Sequence, residues 1–184
     1  MPRTTTRRTS SKILTTTART KVLKRLRLLA LDVDGVLTDG GMYYGEGGEE
    51  FKKFQTRDGM GIKLLQAEGF ITAIVTTENT QIVKRRAKKL GVPELHQGIR
   101  DKLSVLRDLV KKYDITLGEV AYMGDDVNDL EALREVGFAG APADCMDPVR
   151  QVVHYLCQRN GGNGAVREVT DLILSARGVQ PVFQ

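Results

Sequence analysis

The stretch 28–40 constrains the fold of this chain more than any other part of the sequence. An apolar run, Leu28–Leu31, leads directly into Asp32, Asp34 and Gly35. This pattern predicts a buried strand with two carboxylates at its carboxyl end, the edge where open α/β sheets bind ligands. If the strand continues to Asp34, both carboxylates lie on the same side of it. They would then repel each other, so a cation or a proton must hold them together.

The remainder of the chain alternates between strand and helix patterns. A glycine-rich segment, 40–54, predicts a β-hairpin beside the sheet. Apolar, β-prone runs predict further strands at 70–75, 94–97, 120–123 and 138–139. Helical periodicity predicts helices near 57–69, 79–90, 101–113, 148–157 and 165–176, with one more after Asp129. This alternation predicts an α/β fold, a Rossmann-like doubly wound parallel sheet with helices on both faces.

Length and charge distribution indicate one folded domain with a basic extension. The chain has 184 residues, 41% of them hydrophobic, which suffices for a single core. Residues 1–27 contain nine Lys and Arg and no Asp or Glu, so we expect a disordered or partly helical extension there. The folded domain is expected over 28–178 and a short tail over 179–184. Organelle targeting or contact with an anionic partner are alternative roles for the extension.

The same composition limits the partners and the compartment. Residues 28–184 hold 19 basic against 23 acidic residues, so a nucleic-acid function is not expected of the folded domain. No apolar run has the length of a membrane span. The two cysteines, Cys145 and Cys157, lack metal-binding spacing, which favours burial in a reducing compartment. We therefore expect a cytoplasmic protein.

Polar residues suited to phosphoryl transfer lie near the ends of successive strands: Asp32 and Asp34, Thr76, Lys102, and the cluster Asp125, Asp126 and Asp129. Singly, an aspartate at a strand end is more often a cap or a turn residue. Together they supply an attacking carboxylate, an acid and base, and groups that balance phosphoryl charge. Oxygen ligands without neighbouring His or Cys favour Mg²⁺. A calcium loop is excluded, because Leu37 and Tyr43 stand where that loop needs Gly and Glu.

These residues resemble the four motifs of the haloacid dehalogenase-like phosphatases. The matching segments are Asp32-Val33-Asp34-Gly35-Val36, Val75-Thr76, Lys102 and Gly124-Asp125-Asp126-Val127-Asn128-Asp129. The resemblance implies that Asp32 is the nucleophile and Asp34 the general acid and base. It implies Mg²⁺ bound by Asp32, the backbone carbonyl of Asp34, and Asp125, with the phosphoryl group held by Thr76 and Lys102. Asp126 or Asp129 would contact the metal ligands and orient them without binding the metal.

A narrower resemblance covers roughly residues 28–176. The segments 32–40, 54–61, 97–103 and 161–169 are similar to the 3-deoxy-D-manno-octulosonate 8-phosphate phosphatases and their nonulosonate 9-phosphate relatives. This implies a β-hairpin flap without a large cap domain, and a homotetramer in which the hairpin covers a neighbour's site. The residues it places near the sugar acid are Asp34, Gln55, Thr56, Arg57, Asp58, Gly59, Lys63, Glu78, Arg86 and Lys102.

The chain departs from this pattern at three positions. Lys63 and Glu78 stand where the octulosonate enzymes usually have arginine, and Thr77 replaces a glycine. Lysine lacks the planar fork that suits a carboxylate, and glutamate reverses the charge. The Thr-x-Glu form, followed by Arg86 and Lys89, is closer to phosphatases of nine-carbon sugar acids.

The function indicated by the sequence is therefore Mg²⁺-dependent phosphate release through an aspartyl-phosphate intermediate. The substrate class is a small 2-keto-3-deoxy sugar-acid phosphate: 3-deoxy-D-manno-octulosonate 8-phosphate, or a nonulosonate or neuraminate 9-phosphate. One alternative is a catalytically silent oligomerisation module associated with a sugar-acid cytidylyltransferase. A phospho-accepting receiver domain is a third class, but it would carry its accepting aspartate on a later strand. A nucleic-acid function resting on 1–27 would show strongly salt-dependent binding.

Overall fold

The computed structural model describes residues 14–48 and 50–180. Its strands are Leu28–Leu31 (β1), Tyr43–Tyr44 (β2), Glu50–Phe51 (β3), Ile71–Val75 (β4), Glu94–His96 (β5), Val120–Met123 (β6), Phe138–Ala141 (β7) and Tyr155–Leu156 (β8). Six of them form one parallel sheet in the order β5-β4-β1-β6-β7-β8, while β2 and β3 pair as an antiparallel hairpin. The hairpin predicted over 40–54 is thus present.

The helices lie on both faces of this sheet. They are Thr16–Leu23 (α1), Thr56–Ala67 (α2), Gln81–Leu90 (α3), Lys102–Lys112 (α4), Leu130–Glu135 (α5), Asp147–Arg150 (α6) and Ala165–Ala176 (α7). One apolar core contains buried residues of α2, α3 and α7, and the other contains those of α4 and α5. The α/β, Rossmann-like doubly wound sheet is confirmed, and no large cap domain is present among the described residues. None of the described helices combines the length and apolar character that a membrane span requires.

Strand β1 occupies a central place in the sheet and sets the position of the site. It pairs with β4 on one side and β6 on the other, and its four residues are buried. Because both faces of β1 are covered, the strand reads as an uninterrupted apolar run instead of an alternating one. Its carboxyl end therefore opens between the ends of β4 and β6, where ligands bind in sheets of this kind.

The prediction of a helix over 148–157 is wrong. Helix α6 spans only Asp147–Arg150, and the chain then returns to the sheet as β8. Residues Tyr155 and Leu156 of β8 pair in parallel with Gly140 and Ala141 of β7. A short apolar run at the edge of a sheet lacks the length that separates strand from helix by periodicity, which is why the pattern was ambiguous.

Of the two alternatives for the extension over 1–27, disordered or partly helical, the described part is helical, and it is packed against the domain instead of being fully solvated. Residues 16–23 form α1, capped by the Thr15 hydroxyl, and Leu23 and Leu26 are buried against the core. The guanidinium of Arg19 lies 4.9 Å from the centroid of the Tyr155 ring. Burial of these leucines stabilises the helix against the domain, an interaction that the basic composition of the segment does not indicate. Residues 1–13 lie outside the described part, as do residues 181–184 of the expected tail.

Helices α2 and α7 pack closely, and a glycine makes that approach possible. Gly61 of α2 is buried, and a Cβ atom at this position would lie 2.2 Å from Thr170 Oγ1 on α7. The same interface contains Asp58, whose carboxylate accepts hydrogen bonds from the backbone N–H of Gly164 and Arg167. These bonds satisfy amide groups at the start of α7 that have no partner within the helix.

We expect Gly61→Ala to destabilise the protein by about 1–3 kcal/mol, because the added methyl overfills the α2–α7 contact. Alanine normally favours a helix by up to about 1 kcal/mol over glycine, so a loss would have to come from packing. Urea unfolding measures the change. Lys63→Ala, at an exposed position of the same helix, is the control, and Thr170→Ala should relieve part of the effect of Gly61→Ala. Equal stability of Gly61→Ala and wild type would contradict this view of the interface.

Candidate active site

A buried lysine joins the ends of two different strands at the carboxyl edge of the sheet. Asp32 follows β1 directly and is 5% exposed, and Lys102, 2% exposed, begins α4. The Lys102 ammonium lies 2.8 Å from Asp32 Oδ2 and 2.6 Å from Asp129 Oδ1. Burial favours the neutral amine, but the two carboxylates outweigh it and raise the pKa of Lys102. The lysine is therefore a fixed positive charge beside Asp32.

Asp129 is fully buried, and its two carboxylate oxygens both have partners. Oδ1 accepts from Lys102 and from the Tyr122 hydroxyl at 2.6 Å. Oδ2 accepts from the backbone N–H of Asp125 at 2.9 Å and of Asp126 at 3.3 Å. Asp129 thus holds the backbone of the loop after β6, and the supporting role that the resemblance implies for Asp126 or Asp129 stays a prediction.

Three carboxylates converge closely enough to hold a cation. Oxygen atoms of Asp32, Asp125 and Asp129 all lie within 4.8 Å of one another. Burial, together with Asp129, raises the pKa of Asp32 to about 7, and burial, together with Asp32 and Asp129, raises the pKa of Asp125 to about 7. Since Asp129 is occupied by four donors, Asp32 and Asp125 are the pair that would hold the metal. An all-oxygen donor set of this charge fits Mg²⁺, the predicted cofactor.

Glycines allow the loops around these carboxylates to come together. Gly35 has a φ of 79°, and a Cβ atom there would lie 2.0 Å from Asp125 Oδ2. A Cβ atom at Gly161 would lie 1.8 Å from the Gly35 carbonyl oxygen. The glycine segment 161–164 is therefore packed against the loop after β1, and side chains at these two positions would push the site apart.

The side chain of Asp34 has different hydrogen-bond partners from that of Asp32. Strand β1 ends at Leu31, and the backbone N–H groups of Val36, Leu37 and Thr38 turn back onto the Val33 carbonyl. Asp34 Oδ1 accepts from Lys52 Nζ at 2.7 Å and from the Thr38 hydroxyl at 3.3 Å. The strand therefore does not continue to Asp34, and the condition under which both carboxylates would lie on one side of it is not met.

An open cavity of about 370 Å³ lies over these residues. Its lining includes Asp32, Asp34, Asp125, Asp126 and Thr77. Thr76 is 1% exposed, and its hydroxyl oxygen accepts a hydrogen bond from the Glu78 backbone N–H at 3.2 Å. Thr76 therefore lies just beneath the cavity at the end of β4, while the next residue, Thr77, lines it. The site therefore brings together a carboxylate that could attack, a second carboxylate, a hydroxyl, an ammonium and two carboxylates that could hold one metal ion.

Several residues that the resemblance placed near the sugar acid lie elsewhere within this chain. Asp58 is fully buried and caps α7, and Gln55 caps α2 through its own side chain. Arg86 of α3 donates to the Gln55 carbonyl oxygen at 2.9 Å and lies 5.3 Å from the Phe54 ring centroid. A Cβ atom at Gly59 would approach Arg86 Nη2 to 2.7 Å. Within one subunit these residues hold α2 in place.

Four further residues of that set are more exposed. Arg57 lines a separate cavity with Arg167, Thr56 and Lys63 are exposed on α2, and Glu78 is half-buried in the loop after β4. The Glu78 carbonyl accepts the Gly98 N–H, which ties this loop to the one before α4. Only Asp34 and Lys102 of the expected sugar-acid set thus lie at the carboxylate centre of the described chain.

Two residues at the site were not anticipated from the sequence. Tyr122 in β6 holds Asp129, and Lys52, just after β3, holds Asp34. A tyrosine inside an otherwise aliphatic strand was a signal that a buried hydroxyl needed a partner. Lys52 and Lys53 are adjacent lysines, and the sequence alone does not show which of them turns inward.

The sheet, the turn after β1 and the carboxylate–lysine centre define a haloacid dehalogenase-like hydrolase. A family model described as "haloacid dehalogenase-like hydrolase" matches residues 50–137. The chain is 43% identical over 155 residues to the 3-deoxy-D-manno-octulosonate 8-phosphate phosphatase KdsC of Escherichia coli K12, with 84% of this chain and 82% of that protein covered. The chain belongs to this family of phosphatases, which are phosphoric monoester hydrolases.

Solved structures agree with this assignment. The crystal structure of 3-deoxy-D-manno-octulosonate 8-phosphate phosphatase from Moraxella catarrhalis, in complex with a magnesium ion, a phosphate ion and KDO, superposes with a TM-score of 0.87 at 43% identity, covering 89% of this chain and 94% of that one. A cobalt-bound form from Haemophilus influenzae gives a TM-score of 0.82 at 38% identity, covering 85% of this chain and 92% of that chain. The expected family and its Mg²⁺ cofactor are confirmed.

We expect the metal-free protein to lose thermal stability as pH rises from about 4 to about 7. The pKa of Asp125 rises from its usual 3.8 to about 7 on folding, so between these values the native state binds a proton that the unfolded state has released. Stability therefore falls as pH rises through this range. Adding Mg²⁺ at the higher pH should restore the midpoint, because the cation replaces the proton.

Asp125→Asn should flatten this dependence and weaken the response to Mg²⁺, and thermal unfolding with EDTA or with Mg²⁺ measures both effects. Asp147→Asn, at a side chain that is 93% exposed, is the control for removal of one carboxylate. A Mg²⁺ response of Asp125→Asn equal to that of wild type would contradict the metal assignment.

Proposed function

We propose that this protein hydrolyses 3-deoxy-D-manno-octulosonate 8-phosphate with Mg²⁺, through an aspartyl-phosphate intermediate on Asp32. One observation carries the chemistry: Asp32 is a buried carboxylate at a cavity, held by Lys102 and facing Asp125. The relatives named above carry the choice of substrate, since they are similar over most of the chain.

The nucleophile is prepared by its surroundings. The Lys102 ammonium at 2.8 Å stabilises Asp32 as a carboxylate and stays close enough to contact phosphoryl oxygens. Mg²⁺ held by Asp32, Asp125 and the Asp34 carbonyl would neutralise charge on those oxygens. The Thr76 hydroxyl at the end of β4 would donate to one of them. Asp32 then attacks phosphorus in line with the departing sugar oxygen.

Asp34 acts as the general acid in the first half-reaction and as the general base in the second. As a carboxylic acid it gives its proton to the sugar oxygen while the bond from phosphorus to that oxygen breaks. As a carboxylate it then takes a proton from water, whose oxygen bonds to phosphorus and releases Asp32. The two carboxylates contact different lysines, Lys102 for Asp32 and Lys52 for Asp34.

Phosphate release from a substrate panel tests this proposal. We expect Mg²⁺-dependent release from 3-deoxy-D-manno-octulosonate 8-phosphate, abolition by EDTA, and at least about 100-fold less turnover in Asp32→Asn, which removes the attacking charge without changing shape. Asp147→Asn is again the matched control. Measurable turnover by folded Asp32→Asn would exclude this residue as the nucleophile, and failure of the substrate to outpace hexose phosphates would overturn the substrate assignment.

Nonulosonate or neuraminate 9-phosphate is a second candidate substrate, and Glu78 is the observation that favours it. Burial lowers the pKa of Lys52, but Asp34 and, to a smaller extent, Glu78 raise it, so an acid lies beside the site where the octulosonate enzymes usually have arginine. An anionic substituent of a sugar acid would meet repulsion there, whereas a hydroxyl-rich chain would find an acceptor. The same panel should contain both nine-carbon phosphates.

A homotetramer in which the hairpin covers a neighbour's site is part of the proposal. The hairpin exposes four large apolar side chains: Met42 at 42%, Tyr43 at 47%, Tyr44 at 70% and Phe51 at 60%. A concentration of this kind is typical of protein interfaces. The remoteness of Arg86 and Lys63 from the carboxylate centre within one subunit also agrees with a site completed by another copy.

We expect light scattering on a sizing column to give the mass of a tetramer for the wild type. Tyr44→Ser combined with Phe51→Ser should shift the protein to smaller species, because both changes remove apolar contact area. Met60→Ser, which removes an exposed apolar side chain outside the hairpin, is the control. A monomeric wild type at micromolar concentration would contradict the assembly.

A further inference from the structure

The hairpin carries a buried lysine that reaches the second carboxylate of the site. Lys52 follows β3, and its side chain is 0% exposed, whereas the side chain of the next residue, Lys53, is 55% exposed. Successive side chains of an extended segment point to opposite sides, so one lysine turns inward and the other outward. A buried ammonium is unfavourable unless a carboxylate compensates it, and Lys52 Nζ lies 2.7 Å from Asp34 Oδ1.

The contacts of Lys52 leave one oxygen of Asp34 for the substrate. Both hydrogen bonds that described side chains donate to this carboxylate, from Lys52 and from Thr38, end on Oδ1. The other oxygen, Oδ2, is thereby turned away from these donors. Glu50 Oε1 lies 3.6 Å from the ammonium, which limits where Lys52 can move. A carboxylate fixed at one oxygen presents the other in a defined direction.

The hairpin is anchored to the loop that contains Asp34. Thr38 and Phe54 form an isolated antiparallel bridge, so the base of the hairpin and the turn after β1 are joined by backbone hydrogen bonding. Lys52 lies two residues before Phe54, and Thr38 lies four residues after Asp34. The ammonium, the carboxylate and the bridge therefore close a small ring of contacts, and displacement of the hairpin would move Asp34.

We infer that Lys52 is a positioning residue for the proton transfers of Asp34, fixing Oδ1 so that Oδ2 meets the leaving sugar oxygen and then the attacking water. This inference rests on the proposed function and assigns part of its machinery to the hairpin. Lys52 need not touch the substrate. Its effect is to hold the acid and base within hydrogen-bonding reach of the atoms that exchange the proton.

Lys52→Met keeps the length and apolar character of the stem and removes the ammonium. We expect kcat/KM on the best sugar phosphate of the panel to fall about 10- to 100-fold, in the range that misplacement of a catalytic group produces. With 4-nitrophenyl phosphate the fall should be much smaller, because the nitrophenolate leaves without a proton. The ratio kcat/KM reports the steps up to departure of the leaving group, so it isolates the first proton transfer.

Lys53→Met is the matched control on the same hairpin, since Lys53 is exposed and reaches Asp39 at 3.4 Å, and it should retain wild-type kinetics. Lys52→Arg keeps the charge and a donor and should recover part of the lost activity. Should Lys52→Met fail to fold, Lys52→Gln provides the same comparison. In an Asp34→Asn background, adding Lys52→Met should cause no further loss on the sugar phosphate, because the two residues act as a unit.

Equal losses on the two substrates, a raised KM with unchanged kcat, or no loss at all would each overturn the positioning role. A wild type that prefers hexose phosphates would refute the proposed substrate while leaving this comparison valid, because it uses whichever sugar phosphate is hydrolysed best. Substrate assignment and Lys52 assignment can therefore fail separately.

Discussion

The buried ion pairs of Lys102 with Asp32 and Asp129 are the interaction on which the site depends. They join the end of β1, the start of α4 and the loop after β6. A lysine in this position would be strongly unfavourable alone, and so would either carboxylate. Each buried charge is compensated only when the oppositely charged partner is in place. The three segments must therefore adopt the arrangement that brings Lys102 to both aspartates.

This network also explains why the acidic centre retains its capacity for a cation. The single positive charge of Lys102 is shared by Asp129 and Asp32. Asp129 also accepts hydrogen bonds from the Tyr122 hydroxyl and two backbone amides. Asp125 is left with its like-charged neighbours, which together with burial raise its pKa. A bound proton or a divalent cation can therefore offset the like charges of these carboxylates.

The hairpin adds a second, separate charge pair. The pair Lys52–Asp34 is separate from the pair Lys102–Asp32, although only Val33 lies between the two aspartates in the sequence. The turn after Val33 makes this separation possible, and Gly35 permits the turn to approach Asp125. Two carboxylates close in sequence thereby acquire different surroundings, which the proposed roles of nucleophile and of acid and base require.

Much of this architecture was determined by the sequence itself. The apolar run of β1, the alternation of elements and the polar residues at the strand ends predicted the sheet, its carboxyl edge and the residues Asp32, Lys102 and Asp125, because periodicity and strand direction are local properties. The errors fell where local pattern was weak. The run that became β8 was too short to tell strand from helix, and the basic composition of the first segment hid the buried residues Leu23 and Leu26.

Tertiary structure alone decided which side chains became partners. Asp58, expected near a ligand, caps α7 through an amide 109 residues away, and Lys52 reaches a carboxylate 18 residues away. Sequence shows that such residues are charged and on which face of an element they fall. It does not show which distant group will compensate them, because that depends on how whole elements pack and on the free energy of covering each charge.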